Sequence, residues 1–486
     1  MRSSMKKKKI NLISFIFSIG FFIVMGIIFN NYSLNLSPLF MTFLLFLYAK
    51  FFKKVENLPS YIDLLLLMSI GVTIILLPSL IPSAFKLSFI LKISAYGISA
   101  IGFAMLITLL FNNLELSLLF SIFISFLGST SEGGENIGVS LFCASLSATM
   151  LSYQLRRRSQ IIKASFLSGV IFFITFILES SQTLFMISSL NLNFLKSTLL
   201  IGVISLLIMI VILPIIVIGA LVVFEFIFKT VTNISLLELS DFNHPLLRKM
   251  ILEAPGTYQH SLVVANLSET AGEAIGANSL LARVGAYYHD IGKIPKAHYF
   301  IENQIPFRDV HKGLKPSISK MIIINHIKEG VELAKKYHLN PRIIDFITQH
   351  HGKTLVYYFY QRAKELEPQT EPAEEYRYPG PKPQSKETAI VALADTVEAR
   401  SRTLEDPSPS RIEEMVRDVV RSRFQEGELD ESNLTLKDLE KITQSFVRVL
   451  NALFHTRIDY PNNKNGKNKD KKSPKDKENK LKTVAK

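Results

Sequence analysis

The sequence predicts an all-α protein in two parts, a polytopic helical membrane domain followed by an all-helical soluble domain. Three observations predict this. Residues 10–229 are dominated by Leu, Ile, Phe and Ser in long runs with little charge. Beyond about 230 the apolar residues recur with helical spacing inside a normal globular mix. Alternating apolar and polar runs, the mark of strands, are scarce in that second part. A length of 486 residues allows two or three domains, and the shift near 230 is the main boundary.

The chain opens with a basic segment, 1–9, that contains Lys6–Lys9. A membrane-crossing helix needs roughly 17–25 apolar residues. Candidates run over about 10–30, 34–51, 60–82, 90–111, 114–129, 137–154, 163–188 and 197–228. The fifth and sixth are short, so the expectation is about seven to eight spans. The first has no small-residue cleavage site and reads as an anchor, not a removed signal. Lys6–Lys9, Lys53–Lys54, Arg156–Arg158 and Arg248–Lys249 should face the cytoplasm, and an even number of spans satisfies all four. The chain therefore reads as a multi-pass protein of the cytoplasmic (inner) membrane with its second part in the cytosol. Lys92, Glu115 and Glu179 lie near span ends, and snorkelling to the interface is the expected reason for each.

The formal net charge of +14 is concentrated at the margins of apolar segments and in the Lys-rich tail 461–486, which carries +7 alone and should be disordered. Charge placed this way points to lipid headgroups and not to a nucleic acid polymer. The single cysteine, Cys143, excludes an intrachain disulfide framework or a cysteine-based zinc site and suits a reducing compartment.

In the second part, 235–460, helices are expected at Ser261–Ile275, Ser279–Tyr288, 318–336, 341–351, 386–402, 409–426 and 435–454. Gly276 stops the first, Asn340 and Pro341 start the fourth, and Gly352 closes it. Pro368, Pro372, Pro379, Pro381 and Pro383 mark 366–386 as a loop lying over one face of the bundle. Phosphate-binding glycine loops and nucleophile elbows are absent.

Half of the ten histidines fall in this part within GTYQHS, YYHDIGK, NHIKEG and QHHGK, at His260, His289, His326, His350 and His351. Asp290 follows His289, and Asp395 sits in the apolar run ALADTVEA, where a lone carboxylate is costly unless paired or metal-bound. This set has the composition of a two-metal hydrolytic site. Adjacent helical residues diverge by about 100°, so His289 and Asp290 can serve one metal from two directions, or Asp290 can bridge two.

Four stretches carry a resemblance. They are LELSDFNHPLLRKMILEAPGTYQHS over 237–261, IGANSLLARVGAYYHDIGKIPKAHYFIENQ over 275–304, FITQHHGKTLVYYFY over 346–360 and YPGPKPQSKETAIVALADTVEARSRTL over 378–404. The chain resembles the HD-domain phosphohydrolases, and more narrowly the seven-transmembrane HD family of bacterial cyclic di-AMP phosphodiesterases. The resemblance implies an all-helical HD domain and a metal-dependent phosphodiesterase that opens cyclic di-AMP to pApA with a metal-bridging hydroxide. It implies two divalent ions, iron or manganese. By the same resemblance His260, His289, Asp290 and Asp395 hold one ion, and Asp290 bridges to a second on His326, His350 and His351. Five neutral imidazoles and two carboxylates around two divalent ions leave a charge of about +2, which attracts a phosphodiester. Lys293, one turn after the His-Asp pair, is placed to reach a phosphate or to sit as a solvated lysine. His311 is a weaker substrate contact. Tyr288, Tyr357, Tyr358 and Tyr360 are potential adenine platforms, most of them better explained as core.

One departure from the family is the short link 31–37 between the first two spans, which leaves no room there for its large extracytoplasmic domain. Sensing by that module would pass to a separate partner, and self-association is left open. The alternatives are a phosphodiesterase of another nucleotide and a membrane nucleotide receptor or scaffold that binds without turnover. The cyclic di-GMP subgroup has Gly-Tyr-Pro after its His pair, whereas here Gly352-Lys353-Thr354 follow, and an intact ligand set disfavours a binding-only domain.

Overall fold

The computed structural model describes residues 61–81, 86–131, 137–186, 192–304, 310–366 and 372–454. The basic start, the first two candidate spans, their short link and the Lys-rich tail lie outside the described residues. Among the described residues every regular element is a helix, and the only ladder contact is an isolated antiparallel bridge between Leu355 and Arg377.

The apolar part comprises α1 (Tyr61–Leu76), α2 (Lys86–Phe111), α3 (Leu114–Ser129), α4 (Gly138–Ser152), α5 (Arg158–Met186) and α6 (Leu192–Phe228). Stretches in α2, α5 and α6 are long and apolar enough to cross a membrane, while α1, α3 and α4 are shorter. Helix α2 is the hub, packed against each of α3, α4, α5 and α6. Its apolar stretch is 83% buried, against 39% in α5 and 28% in α6. The outer helices therefore keep large apolar side chains such as Leu178, Leu207, Ile215 and Phe226 exposed, a surface suited to lipid and not to water. Small polar residues hold α3 to α4: Ser121 Oγ lies 2.7 Å from Thr149 Oγ1, and Ser125 Oγ 2.8 Å from Ser145 Oγ. Such pairs let backbones approach and satisfy each other where water is excluded.

Two of the three charged residues expected to snorkel do something else. Lys92 is buried within the bundle because it lies on the central helix. Glu179 reaches the start of α4, where it accepts from Val139 N at 3.2 Å, Ser140 N at 3.0 Å and Ser140 Oγ at 2.6 Å. A carboxylate there satisfies amides that a helix N-terminus leaves open. Glu115 is exposed in the first turn of α3.

The second part contains α7 (Asn233–Leu239), α8 (Pro245–Glu253), α9 (Pro255–Ile275), α10 (Ser279–Tyr288), α11 (Pro316–Lys336), α12 (Pro341–Gln349), α13 (Tyr357–Leu366), α14 (Lys386–Ser401), α15 (Pro409–Gln425) and α16 (Leu436–Leu453). A 3-10 segment, Ile291–Tyr299, follows α10. Helix α9 is central and packs on α10, α14 and α16 around Val264, Leu267, Val284, Ile390, Val397 and Phe446. It starts at Pro255, six residues before the start expected from sequence, because Pro255 occupies the first turn and does not break the helix. His260 consequently lies in the second turn of α9, not at its start. Gly276, with φ of 74°, ends the helix in the left-handed conformation that favours glycine.

Short helix α7 joins the two parts. Glu225 of α6 accepts from Thr232 N at 2.8 Å and Ser235 Oγ at 2.9 Å, and Arg158 at the start of α5 makes a bidentate pair with Glu238 at 2.6 and 2.9 Å. Glu179→Ala should destabilise the apolar bundle by about 1–3 kcal/mol through the uncapped α4 amides. Thermal unfolding in detergent measures this, and an unchanged midpoint would contradict the capping role.

Candidate metal centre

Five segments bring the seven sequence-predicted ligands together. His260 comes from α9, His289 and Asp290 from the end of α10, His326 from α11, His350 and His351 from the end of α12, and Asp395 from α14. The turn after Asp290 depends on Gly292. A Cβ at this position would lie 1.8 Å from the carbonyl oxygen of His326 and 2.5 Å from Gly330 N, so only glycine lets the 3-10 segment rest on α11. That backbone contact sets the spacing between the His289-Asp290 pair and His326.

The donor atoms form two groups, each with its atoms within 4.8 Å of one another: His260, His289, Asp290 and Asp395, and then His326, His350 and His351. Asp290 stands between them. Its Oδ2 lies 3.2 Å from His289 Nε2 and 3.6 Å from His260 Nε2. Its Oδ1 lies 3.5 Å from His326 Nε2 and 3.6 Å from His350 Nε2. Asp395 reaches both sides as well, with Oδ1 3.0 Å from His260 Nε2 and Oδ2 3.6 Å from His351 Nδ1.

The outward ring nitrogens are tied down. His289 Nδ1 donates to Ala286 O at 2.7 Å, His326 Nδ1 to Ile323 O at 2.5 Å, and His350 Nδ1 is 3.0 Å from both Phe346 O and Ile347 O. His260 Nδ1 lies 2.5 Å from Glu398 Oε2. Each of these four rings thus turns Nε2 inward, the arrangement that orients metal-ligating histidines. The buried Nε2 of His289 and Oδ1 of Asp290 have no hydrogen-bond partner. Unpartnered buried nitrogen and carboxylate donors at this spacing fit divalent metal ions better than they fit a dry protein core.

The electrostatics agree. Burial pushes the His326, His350 and His351 imidazoles down, and neighbouring histidines add to it, bringing His350 to about 3. These rings are neutral and keep lone pairs for a metal. Burial also opposes charge on His260, but hydrogen bonds donated to Asp395 and Glu398 outweigh it and raise its imidazolium to about 10. Burial likewise disfavours ionised Asp290 and Asp395, yet His289 and Lys293 hold Asp290, and the hydrogen bond from His260 holds Asp395, below the usual carboxylate range.

Lys293 is in the site and not in solvent. Its Nζ lies 2.7 Å from Asp290 Oδ2 and 2.9 Å from Glu302 Oε1. His311 is buried, with ring nitrogens 3.0 Å from Ser319 Oγ and 2.8 Å from Tyr299 O, so it braces the segment after the 3-10 turn. Tyr288 is buried and Tyr360 partly buried, as core residues, but Tyr357 and Tyr358 are exposed on α13. Three contributors were not anticipated. Glu398 sits one turn beyond Asp395, a spacing that sequence periodicity offered. Glu302 partners Lys293 across nine residues. Tyr378 stacks on His351 at 4.2 Å with a 23° interplanar angle. It is delivered by the proline-rich loop, whose backbone pairs with 354–356 through Val356 N to Tyr376 O at 2.8 Å and Tyr378 N to Thr354 O at 2.9 Å.

Gly292→Ala should force the two halves of the centre apart. The expected result is loss of bound metal together with destabilisation of about 1–3 kcal/mol, read by metal analysis and thermal unfolding. The raised His260 value gives a second prediction. In the metal-free protein its contribution to stability is present below pH 6.5 and is lost as pH rises through about 10. Binding of Mn2+ near neutral pH should therefore release about one proton, measured by calorimetry in buffers of different ionisation enthalpy. Binding without proton release would contradict the protonated state of His260.

The HD domain family profile matches residues 257–400, a span that contains all seven ligands. The chain is 39% identical over 419 residues to the cyclic-di-AMP phosphodiesterase PgpH of Bacillus subtilis, covering 85% of this chain and 57% of the relative. It is 36% identical over 399 residues to the cyclic-di-AMP phosphodiesterase PgpH of Listeria monocytogenes, covering 79% and 53%. The chain thus spans a little over half the length of these curated relatives. A crystal structure of the L. monocytogenes PgpH HD domain in complex with cyclic-di-AMP is 46% identical over 45% of this chain and all of that one, with a TM-score of 0.42. The chain carries an HD domain over 257–400 and is similar over most of its own length to the PgpH proteins.

Proposed function

We propose that this protein is a membrane-held phosphodiesterase that uses two divalent metal ions, iron or manganese, to hydrolyse cyclic di-AMP to pApA. The observation that carries the reading is the placement of Asp290, whose two oxygens face two separate histidine groups. A carboxylate is the one side chain in the set with an oxygen for each ion, because a neutral imidazole offers a single lone pair. Two divalent ions at such a site supply an activated water and positive charge for the phosphoryl oxygens.

The protein's own groups have distinct parts in this reading. His260, His289 and Asp395 hold one ion, His326, His350 and His351 the other, and Asp290 joins them. Lys293 keeps Asp290 ionised and aimed, and Glu302 fixes Lys293 from the other side. Tyr378 supports His351 by stacking and narrows the approach to it. The substrate assignment rests on the named activity of the B. subtilis and L. monocytogenes relatives and on Gly352-Lys353-Thr354 after the His pair, where the cyclic di-GMP subgroup has Gly-Tyr-Pro.

We place the HD domain on the cytosolic side of the inner membrane. The basic Arg156–Arg158 cluster lies at the end of the bundle that meets α7, since Arg158 pairs with Glu238, and basic clusters mark the cytoplasmic face. The organisation proposed is a membrane domain over 10–229, an HD domain over 235–460 and a basic tail that can contact anionic lipid.

Purified full-length chain loaded with Mn2+ should convert cyclic di-AMP to pApA, and Asp290→Ala should lower turnover by about 100-fold or more. Chromatography of the products tests both points. Turnover that survives in Asp290→Ala contradicts the two-metal mechanism, whereas hydrolysis of a different nucleotide alone contradicts only the substrate.

A further inference from the structure

We propose that Glu398 is a positioning residue of the metal centre that acts through His260, with Arg402 holding Glu398 in place. The inference deepens the two-metal reading and rests on it. Asp395, Glu398 and Arg402 recur at i, i+3 and i+7 on α14 and its C-cap, so they share one face of the helix. Asp395 contacts the inward Nε2 of His260 at 3.0 Å, while Glu398 contacts the outward Nδ1 of the same ring at 2.5 Å. One helix therefore grips both nitrogens of one imidazole.

The two oxygens of Glu398 have separate partners. Oε2 faces His260, and Oε1 receives Nε and Nη2 of Arg402, each at 2.5 Å. Glu398 is 3% exposed, whereas Arg402 is partly exposed, so the arginine brings a charge from the surface to a buried carboxylate. Two charged donors on Oε1 hold that oxygen and leave Oε2 for the ring.

The contrast with the other rings gives the consequence. His289, His326 and His350 have their Nδ1 atoms fixed by backbone carbonyls of their own helices. Of these four rings, His260 takes its tautomer and orientation from a side chain. A change at Glu398 should therefore loosen one half of the centre and leave the other intact. A carboxylate on the outer nitrogen also raises the basicity of the ligating nitrogen, and loss of such partners typically weakens metal affinity by about 10- to 100-fold.

The test is Mn2+ titration of the full chain by calorimetry, combined with thermal unfolding of the metal-free protein. The wild type should bind two ions. Glu398→Ala should weaken one of them by about 10- to 100-fold and leave the second unchanged. Glu398→Gln should recover most of the affinity, because its amide oxygen still accepts from Nδ1–H. Arg402→Ala, at a surface position expected to fold even where Glu398→Ala does not, should weaken the same ion by several-fold. Metal-free unfolding checks that each variant folds, with Glu398→Ala less stable than the wild type because His260 loses a buried partner, and a loss of affinity confined to one ion is what a merely structural role would not predict. Two ions bound as in the wild type by Glu398→Ala, or an equal loss of both, overturns the inference alone. If the wild type binds one ion, the two-metal reading fails, and unaltered binding of that ion in Glu398→Ala overturns this inference too. A wild type that binds none overturns both.

Discussion

The carboxylate of Asp290 is the constraint on which the rest of the HD domain depends. It is buried, it faces histidine nitrogens on both sides, and it has the Lys293 ammonium 2.7 Å away. An ionised group so far from water is tolerable only if its oxygens are taken up by cations. The surrounding fold supplies the Lys293 ammonium directly and places side chains around Asp290 that could hold metal ions. Helix α10 ends at the pair His289-Asp290, Gly292 lets the next segment lie against α11, and α12 ends where His350 faces Asp290 from the far side and His351 faces Asp395. A helix end is a suitable place for such pairs, since successive residues there leave the helix axis in different directions.

The end of α10 that bears the His289-Asp290 pair is linked to the apolar part by a short physical path. Tyr288, next to His289, donates its hydroxyl to the carbonyl of Leu239 at 2.8 Å, which is the last residue of α7. The other end of α7 is held by Glu225 of α6, and Glu238 pairs with Arg158 of α5. The exposed Arg158–Glu238 pair contributes at most about 1 kcal/mol, so it sets registration more than stability. The buried contacts of Glu225 are the stronger attachment, because they satisfy amide and hydroxyl groups at a helix start.

Much of this was legible in the sequence. Candidate span 114–129 coincides with α3, and the spans ending at 111 and 228 end where α2 and α6 end, because Asn112, Asn113 and the polar stretch after Phe228 interrupt apolar runs abruptly. The seven candidate ligands, which the fold brings into two neighbouring groups, were legible because histidines and a buried aspartate in apolar helical contexts carry a chemical signal. Features that depend on tertiary approach were not. The start of α9 at Pro255, the helix α13 over exposed Tyr357 and Tyr358, and the delivery of Tyr378 to His351 by a proline-rich loop have no local periodicity to announce them. Lys92 and Glu179 looked like membrane-edge charges because sequence position gives depth along a span but not which helix is central or which helix start lies opposite. Glu398 was readable as one turn from Asp395, but its partner His260 is 138 residues away.

The most direct measurement is anomalous diffraction from crystals of the manganese-loaded protein. Two peaks on opposite sides of the Asp290 carboxylate are predicted, one among His260, His289 and Asp395 and the other among His326, His350 and His351. A single peak, or two peaks that do not share Asp290, would contradict a centre organised around one bridging carboxylate.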